Sequence, residues 1–278
     1  MDDDKCVLMF TKLASKKKDV RNNGFQKSCK LDENTDLLWR KLTSAILGKN
    51  FELFFQPQYS IANDSLRGFE ALIRWNDREL GQISPEYFIP IAEKSNYIVR
   101  LGWWIIETAL VVLKTWQLNF NFKGILSVNL SAIQLCEENF LTIITALLKT
   151  YNVNPNSLEI EITESVLVDD MDHTKKILNS LSDQNVLISI DDFGTGYSSF
   201  KYLQMFPVNT LKIDKSLIDD ITDEDLIAKK ITNTIVKLGK ELGFEIIAEG
   251  VEDEAQLSIL RSMHCETVQG YLRGRPVE

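Results

Sequence analysis

Two stretches, Leu-Glu-Ile-Glu-Ile-Thr at 158–163 and Val-Leu-Ile-Ser-Ile-Asp at 186–191, decide the fold. Each is rich in β-branched and other apolar residues over a short run, which predicts a strand. Between them, 171–184 has the length and the apolar spacing of a helix. A strand, a helix and a second strand in this order predict one βαβ unit with parallel strands.

The same alternation continues on both sides of this unit. Further strands are predicted at 52–56, 68–74, 125–130, 210–213, 245–248 and 267–270, and further helices at 86–95, 101–117, 138–151, 198–205, 223–242 and 254–263. Eight strands alternating with helices predict an α/β protein with a TIM-like (β/α)8 barrel. A turn-rich connection at Asn63 and Asp64 indicates that the first two strands form a hairpin, so the barrel is expected to be irregular at its start.

The N-terminal segment differs from the rest of the chain. Residues 1–34 carry the lysine run Lys16 to Lys18 and little apolar periodicity, so they are expected to be a linker or the remnant of an upstream module. A helix is predicted to begin at Thr35. The chain of 278 residues therefore divides into this segment and one barrel-sized domain at 35–278.

Composition excludes several classes of protein. The longest strongly apolar stretch, Trp103 to Leu113, contains Glu107 and is shorter than the roughly 20 residues of a membrane span. No secretion signal follows Met1, so a cytoplasmic location is expected. A net charge of −9 disfavours general binding to a DNA or RNA polymer.

The cysteines and histidines restrict the kind of metal site. The four cysteines are scattered without a C-x-x-C pair, and the chain has only two histidines. A disulfide framework and a cysteine zinc site are therefore both disfavoured. Any metal would have to use oxygen ligands, which suit magnesium, manganese or calcium.

Acidic and amide side chains gather at or near the C-terminal ends of the predicted strands, where an α/β barrel places its active site. They are Glu70, Asn129, Glu161, Glu164, Asp191, Asp192 and Glu249. One such acid alone would be an ordinary solvated side chain, but carboxylates packed together repel one another unless a cation lies between them. Two divalent cations sharing an aspartate could activate a water and stabilise the leaving oxygen of a phosphodiester.

Two basic side chains fit the same scheme. Arg74 follows Glu70 by four residues, and Lys212 lies on the strand after Asp191 and Asp192. The alternating apolar neighbours of Lys212 favour a lysine that faces inward, because a surface lysine would not need them. Such a lysine could orient a water or stabilise charge on a phosphate.

An ordered series of motifs runs from about Phe51 to Pro276. It comprises Phe-Gln-Pro at 55–57, Glu-Ala-Leu-Ile-Arg-Trp at 70–75, Ile-Ser-Pro-Glu-Tyr-Phe-Ile-Pro at 83–90, Val-Asn-Leu-Ser at 128–131, Glu-Ile-Thr-Glu-Ser at 161–165, Asp-Asp-Phe-Gly-Thr-Gly-Tyr-Ser-Ser at 191–199, Leu-Lys-Ile-Asp at 211–214, Ala-Glu-Gly-Val-Glu at 248–252 and Gln-Gly-Tyr at 269–271. No single tripeptide is specific, but the ordered series resembles the EAL domain family of bacterial cyclic di-GMP phosphodiesterases.

This resemblance implies a barrel with one antiparallel strand near its start, which hydrolyses cyclic di-GMP to linear pGpG with magnesium or manganese. The metal ligands it implies are Glu70, Asn129, Glu161, Asp191, Asp192 and Glu249. It gives Lys212 a role in assisting the attacking water, so that Lys212, Glu70 and Asp191 would be the catalytic residues.

The resemblance also implies roles around the metal ligands. Gln269 would help to place the metal and water network, Arg74 and Gln56 would contact the substrate, and Glu164 would anchor the loop 191–199. Family members commonly dimerise, so a homodimer is expected. Calcium is expected to inhibit, because it prefers more ligands and longer bonds than magnesium.

Two other functions stay open on the sequence. A catalytically silent barrel could act as a cyclic di-GMP receptor, although such barrels usually lack some ligands and every position of the set is present here. A metal-dependent lyase of the enolase kind is the second alternative, against which Arg74, Lys212 and the ordered motifs argue.

Overall fold

The computed structural model describes residues 33–46, 48, 50–166, 170–194, 203–222 and 227–278. The helices in this part of the chain are α1 (Glu33–Ala45), α2 (Pro85–Lys94), α3 (Ile98–Phe120), α4 (Ala132–Leu135), α5 (Phe140–Tyr151), α6 (Met171–Asp183), α7 (Lys215–Asp219), α8 (Ile227–Glu241) and α9 (Glu254–Ser262). The strands are β1 (Phe51–Ser60), β2 (Leu66–Asp77), β3 (Gly81–Ile83), β4 (Ile125–Asn129), β5 (Leu158–Thr163), β6 (Leu187–Phe193), β7 (Thr210–Ile213), β8 (Glu245–Ala248) and β9 (Thr267–Gln269).

Eight of these strands close into a barrel in the order β1-β9-β8-β7-β6-β5-β4-β2, and the pairing of β1 with β2 completes the ring. β1 runs antiparallel to both of its neighbours, while every pair from β2 through β4 to β9 is parallel. The predicted TIM-like (β/α)8 barrel with one antiparallel strand near the start is therefore confirmed. The barrel belongs to the compact unit Leu37–Glu278.

The β1–β2 hairpin is confirmed as well. Its turn places Asp64 at φ 57°, and the Ser65 backbone N–H donates to the Asn63 side-chain oxygen over 3.1 Å. Asparagine and aspartate tolerate this left-handed conformation and bond their own backbone, which is why the turn forms here.

Several short elements were not predicted. β3 pairs with the last three residues of β2, and the helices α4 and α7 follow closely after β4 and β7. Both helices begin at a capping side chain, Ser131 and Asp214, but they are too short to show a helical repeat in the sequence. The predicted helix at 198–205 lies mostly outside the described residues, as does the start of the helix predicted at 223–242.

The barrel interior is polar and its outer wall is apolar. Along β5, Ile160 and Ile162 alternate with Glu159 and Glu161, and all four are buried. Successive strand side chains point to opposite faces, so one set packs under the helices while the other faces the barrel axis. The same alternation occurs in β4, β6, β7 and β9 and yields the buried polar residues Ser127, Ser189, Asp191, Thr210, Lys212, Thr267 and Gln269.

Helix α3 has 23 residues and packs against β1 and β4 of the barrel and against the helices α2, α4 and α5. Across the described residues, neither α3 nor any other helix combines the length and the apolar character that crossing a membrane requires.

Candidate metal centre

Five carboxylates converge at the mouth of the barrel, which is formed by the C-terminal ends of the parallel strands. They form two groups that share Asp191. Ligand atoms of Glu70, Glu161 and Asp191 lie within 4.8 Å of one another, and so do those of Asp191, Asp192 and Glu249. These five residues are called the acid cluster below. The convergence that the sequence predicted is present.

The strand register brings the cluster together. Asn129 of β4 pairs with Glu161 of β5, and Thr163 of β5 pairs with Asp191 of β6. Because parallel strands end at the same edge of the sheet, side chains at these neighbouring ends face one volume. Glu70 joins them from β2, and Glu249 directly follows β8.

A β-bulge explains how two consecutive aspartates both reach the mouth. Ile190 pairs with Leu211 and Phe193 with Ile213, so Asp191 and Asp192 together stand opposite Lys212. Asp192 has φ 54°, a left-handed conformation that is uncommon outside glycine. In a regular strand the two carboxylates would point to opposite faces. The bulge therefore makes the second group of ligands possible.

Lys212 lies at the centre of the acid cluster and is fully buried, the orientation that its apolar neighbours predicted. Its Nζ is 2.7 Å from Glu249 Oε1, 2.9 Å from Glu161 Oε2, 3.0 Å from Asp191 Oδ1 and 3.5 Å from Glu70 Oε2. Burial opposes its charge, but the four carboxylates outweigh burial and raise the pKa of Lys212 well above its ordinary value. It therefore remains an ammonium ion.

One ammonium ion does not compensate the whole cluster. Burial and the charge of Glu70 raise the pKa of Glu161 well above its usual range. Burial, together with Asp191 and Glu70, raises the pKa of Glu249 to about 8, even though Lys212 acts against this. Burial and the neighbouring Asp191 raise the pKa of Asp192 to about 6. A second positive charge beside these acids would favour their ionised forms.

Glu70 behaves differently from its neighbours. Burial opposes its ionisation, but the charge of Lys212 and hydrogen bonds from Gln269 and Asn129 outweigh burial and lower its pKa. Asn129 Nδ2 donates to Glu70 Oε1 over 2.8 Å, and Gln269 Nε2 donates to Glu70 Oε2 over 2.5 Å. Because the amide nitrogen of Asn129 is used in this way, its carbonyl oxygen is the atom left for a cation.

The residues present fit a divalent cation. Glu161 Oε1 is buried without a hydrogen-bond partner, and Asp191 Oδ1 meets Lys212 at an angle that makes no hydrogen bond. Buried carboxylate oxygens rarely lack a hydrogen bond, because each then loses its solvation without full compensation. A cation with oxygen ligands would satisfy both atoms, and hard divalent ions prefer such ligands.

A cavity of about 490 Å³ is lined by Asn129, whose amide donates to Glu70 of the acid cluster. Arg74 lines it, as do Ser131 and Gln134 and the apolar side chains of Leu72 and Ile98. This volume falls within the range of small-molecule sites, which are mostly apolar with a few polar groups. Arg74 is half-buried, and its Nη1 donates to the Ile73 carbonyl oxygen over 2.9 Å.

Gln56 and Glu164, the other two residues with a predicted role, do not line this cavity. Gln56 is buried in hydrogen bonds inside the barrel: its Nε2 donates to the Gly274 carbonyl oxygen, and its Oε1 accepts from Gln269. Glu164 is half-buried just after β5. The loop that it was predicted to anchor continues through 195–199, outside the described residues, so that role stays a prediction.

A second, largely buried network below the acid cluster was not predicted. It is called the floor network and consists of Arg67, Glu159 and Glu245 with the polar partners Gln58, Ser127, Thr210 and Thr267. Glu159, Ser127 and Thr210 each lie two residues before a residue of the mouth on the same strand. This period-two repeat of polar residues in otherwise apolar strands is the signal that could have revealed it.

The fold and the site define an α/β barrel with a cluster of carboxylates at its mouth. The family model for the EAL domain matches residues 39–276, so the chain belongs to the EAL domain family. The resemblance noted in the sequence is thereby confirmed.

Known relatives lie at moderate identity. The chain is 40% identical over 237 residues to the signaling protein YkoW of Bacillus subtilis, covering 85% of this chain and 29% of YkoW. It is 38% identical over 265 residues to the bifunctional diguanylate cyclase/cyclic di-GMP phosphodiesterase MucR of Pseudomonas aeruginosa, covering 94% of this chain and 38% of MucR. The chain thus spans less than half the length of these curated relatives.

A solved structure agrees with the fold. The structure described as the PaMucR phosphodiesterase in complex with c-di-GMP matches with a TM-score of 0.83 and 38% identity, over 87% of this chain and 97% of that chain.

Proposed function

We propose that this chain is an enzyme that hydrolyses cyclic di-GMP to linear pGpG. The observation that carries the proposal is the acid cluster, in which two groups of carboxylates share Asp191 at the mouth of the barrel. Support for the substrate comes from the relatives, since MucR carries cyclic di-GMP phosphodiesterase in its name and its solved domain is a c-di-GMP complex. The proposal concerns the barrel domain, which we place at 35–278.

The acid cluster and Asn129 would hold two magnesium or manganese ions, one at each group of carboxylates. When bound, such ions supply an activated water and neutralise charge on the scissile phosphodiester. Asp191 would contribute to both positions, because it belongs to both groups. The unpaired oxygen of Glu161 and the raised pKa values of Glu161 and Glu249 support this assignment.

Lys212, Glu70 and Asp191 would act together on the attacking water. The buried ammonium of Lys212 already lies among the carboxylates, so it can orient a water and place positive charge beside the phosphate. Gln269 would keep one oxygen of Glu70 in place through its hydrogen bond. The remaining oxygen of Glu70 is then held toward Asn129.

The substrate would extend from the acid cluster into the adjoining cavity. Arg74 lines that cavity and would contact a phosphate or guanine group of the substrate, since guanidinium donors match both. Gln56 would contact the substrate from the other side of the mouth. Glu164 would anchor the loop 191–199 that follows β6.

Incubation of the purified protein with cyclic di-GMP and Mg²⁺ or Mn²⁺, followed by chromatography, tests the proposal. Formation of pGpG by the wild type, its loss in Glu70→Gln and its retention in Glu241→Gln are the expected results. Glu241 is an exposed carboxylate at the end of α8 and serves as the matched control. Binding of cyclic di-GMP without any pGpG would instead indicate the receptor function, and turnover of other substrates only would indicate the lyase.

Calcium would occupy the acid cluster but inhibit the reaction. It prefers more ligands and longer bonds than the compact groups around Asp191 provide. Replacement of Mg²⁺ by Ca²⁺ in the same assay should therefore abolish pGpG formation. Full activity with Ca²⁺ would contradict the assignment of the metal.

A homodimer in the cytoplasm is the expected setting, with the loop after Asp191 near the interface. Light scattering at working concentration tests the dimer, and the mass of a monomer would remove it.

A further inference from the structure

A continuous chain of hydrogen bonds rises from the floor network to the acid cluster. Arg67 Nη1 donates to Gln58 Oε1 over 2.7 Å, and Gln58 Nε2 donates to Gln269 Oε1 over 2.9 Å. Gln269 Nε2 in turn donates to Glu70 Oε2 over 2.5 Å and to Gln56 Oε1 over 3.2 Å. Two glutamine amides therefore connect a buried arginine with a carboxylate of the mouth.

Arg67 is held rigidly at the base of this chain. Its Nε donates to both oxygens of Glu245, each over 2.9 Å, and its Nη1 and Nη2 donate to the two oxygens of Glu159 over 3.0 and 2.9 Å. Arg67 occupies the irregularity in the β1–β2 pairing, where Tyr59 pairs with Leu66 but Gln58 pairs with Gly68. This extra residue on β2 turns the guanidinium into the barrel.

Arg67 sets the donor-to-acceptor direction of this series of hydrogen bonds. A guanidinium group has only donors, so the amide of Gln58 must turn its oxygen toward Arg67 and its nitrogen toward Gln269. Gln269 then accepts with its oxygen and presents its nitrogen to Glu70. Reversal of either amide would place two donors or two acceptors against each other.

Water cannot readily relieve such a mismatch at these positions. Gln58 is 0% exposed, Gln269 4% and Glu70 5%. A buried polar group that loses its partner keeps the full penalty of desolvation, and in a connected network that penalty affects every member. The orientation chosen at Arg67 is therefore transmitted to Glu70.

We propose that Arg67 and Gln58 are positioning residues, which fix the carboxylate of Glu70 for cation binding by orienting the amide of Gln269. Neither touches the substrate or the acid cluster, and both act through Gln269. The predicted effect on turnover rests on the proposed function, whereas the predicted effect on cation binding needs no substrate.

Two substitutions of Gln58 separate this role from a purely structural one. In Gln58→Glu the new carboxylate keeps the shape and pairs with Arg67, but it has no donor for Gln269 Oε1. The amide of Gln269 then has an acceptor on both sides, the new carboxylate and Glu70, so it can no longer satisfy both and its hydrogen bond to Glu70 is weakened. Gln58→Met removes the polar group without adding charge or placing a second acceptor against Gln269, so Gln269 Nε2 still has Glu70 to bind.

The quantity to measure is the affinity of the protein for Mn²⁺ in the absence of substrate. Electron paramagnetic resonance determines it by recording the signal of the free ion during a titration. Gln58→Glu is expected to bind Mn²⁺ about tenfold more weakly than the wild type. Loss of a residue that hydrogen-bonds to a metal ligand typically lowers metal affinity by about 10- to 100-fold, and the expected effect is at the lower end of this range. Gln58→Met is expected to show a smaller loss. Gln184→Glu, a half-buried glutamine at the end of α6 that bonds Thr145 and Ser180, is the control and should leave the affinity unchanged.

A purely structural role predicts the opposite order. The carboxylate introduced by Gln58→Glu would strengthen the pair with Arg67, and its added negative charge would tighten cation binding. Mn²⁺ affinity of Gln58→Glu equal to or above that of the wild type would therefore overturn the proposal. If Gln58→Glu does not fold, unchanged Mn²⁺ affinity in Gln58→Met would overturn it, and weaker affinity would support it.

Turnover gives an independent check. The rate of Gln58→Glu with cyclic di-GMP should be reduced most at low Mn²⁺ and recover as Mn²⁺ approaches saturation, which general damage to the fold would not do. A wild type that binds Mn²⁺ but forms no pGpG would remove the proposed function and leave the cation measurement to decide the role of Gln58.

Discussion

The acid cluster and the floor network are both charged, both lie in the same barrel, and are only two residues apart along its strands, yet they differ in how their charges are matched. The floor network sets two carboxylates, Glu159 and Glu245, against the five donors of Arg67. The acid cluster sets five carboxylates against Lys212, the one ammonium ion among them in the described residues.

Two residues of one strand show the consequence. Glu159 and Glu161 are each 0% exposed and point to the same side of β5. Burial opposes ionisation of Glu159, but Arg67, Thr210 and Ser127 outweigh it and lower its pKa. The same burial raises the pKa of Glu161, because its neighbours are mainly other acids. Partners, rather than burial, thus distinguish a structural network from a site prepared for a cation.

Removal of a shared ligand should have the largest effect on turnover. Asp191→Ala takes a carboxylate from both groups of the cluster and is expected to lower the rate of cyclic di-GMP hydrolysis by about 10³-fold or more, on the scale of losing metal-supplied charge stabilisation. The fold should persist, since the change also removes a repulsion. Steady-state kinetics and thermal melting check both points, and unchanged turnover would end the metal assignment.

Removal of the guanidinium group of Arg67 from the floor network should instead lower the stability of the protein. Arg67→Met leaves Glu159 buried without its partner and is expected to lower the free energy of unfolding by about 3–5 kcal/mol. Arg273→Met, which breaks a pair with the exposed Asp64, is the control and should change it by about 1 kcal/mol or less. Urea titration measures both. Equal losses in the two variants would mean that the floor network is not a buried structural pair.

In metal-free protein, the contributions of the acid cluster and of the floor network to stability should change in opposite directions with pH. The pKa of Glu249 is about 8 in the fold against 4.5 ordinarily, so between these values the folded state binds more protons than the unfolded state. Stability should therefore fall as pH rises from about 4.5 to about 8, and Asp192, with a pKa of about 6, adds to the lower part of this range.

The contribution of Glu159 to stability changes with pH in the opposite direction. Its pKa is lowered, so its contribution is present above pH 4.5 and is lost as pH falls below that value. Urea midpoints in EDTA at pH 5 to 8 test the acid cluster alone, and saturating Mn²⁺ should remove the decline because it favours the ionised carboxylates. Rising stability across this range in EDTA would contradict the raised pKa values.

The sequence predicted the barrel and the residues of its mouth because both follow from local patterns. The run at 158–163 carries its strand and its acid in the same six residues. It did not predict that a bulge would let Asp191 and Asp192 share one volume, because the bulge depends on the pairing of β6 with β7. Nor did it predict the partners of Arg67, which come from strands up to 178 residues away in the chain.

Anomalous diffraction from crystals grown with Mn²⁺ and cyclic di-GMP tests the central claim most directly, namely that the acid cluster holds divalent cations. The account predicts two peaks about 3.5–4 Å apart on either side of Asp191, one near Glu70 and Glu161 and the other near Asp192 and Glu249. A map with no peak at the mouth, and with the ammonium of Lys212 still in contact with its carboxylates, would contradict it.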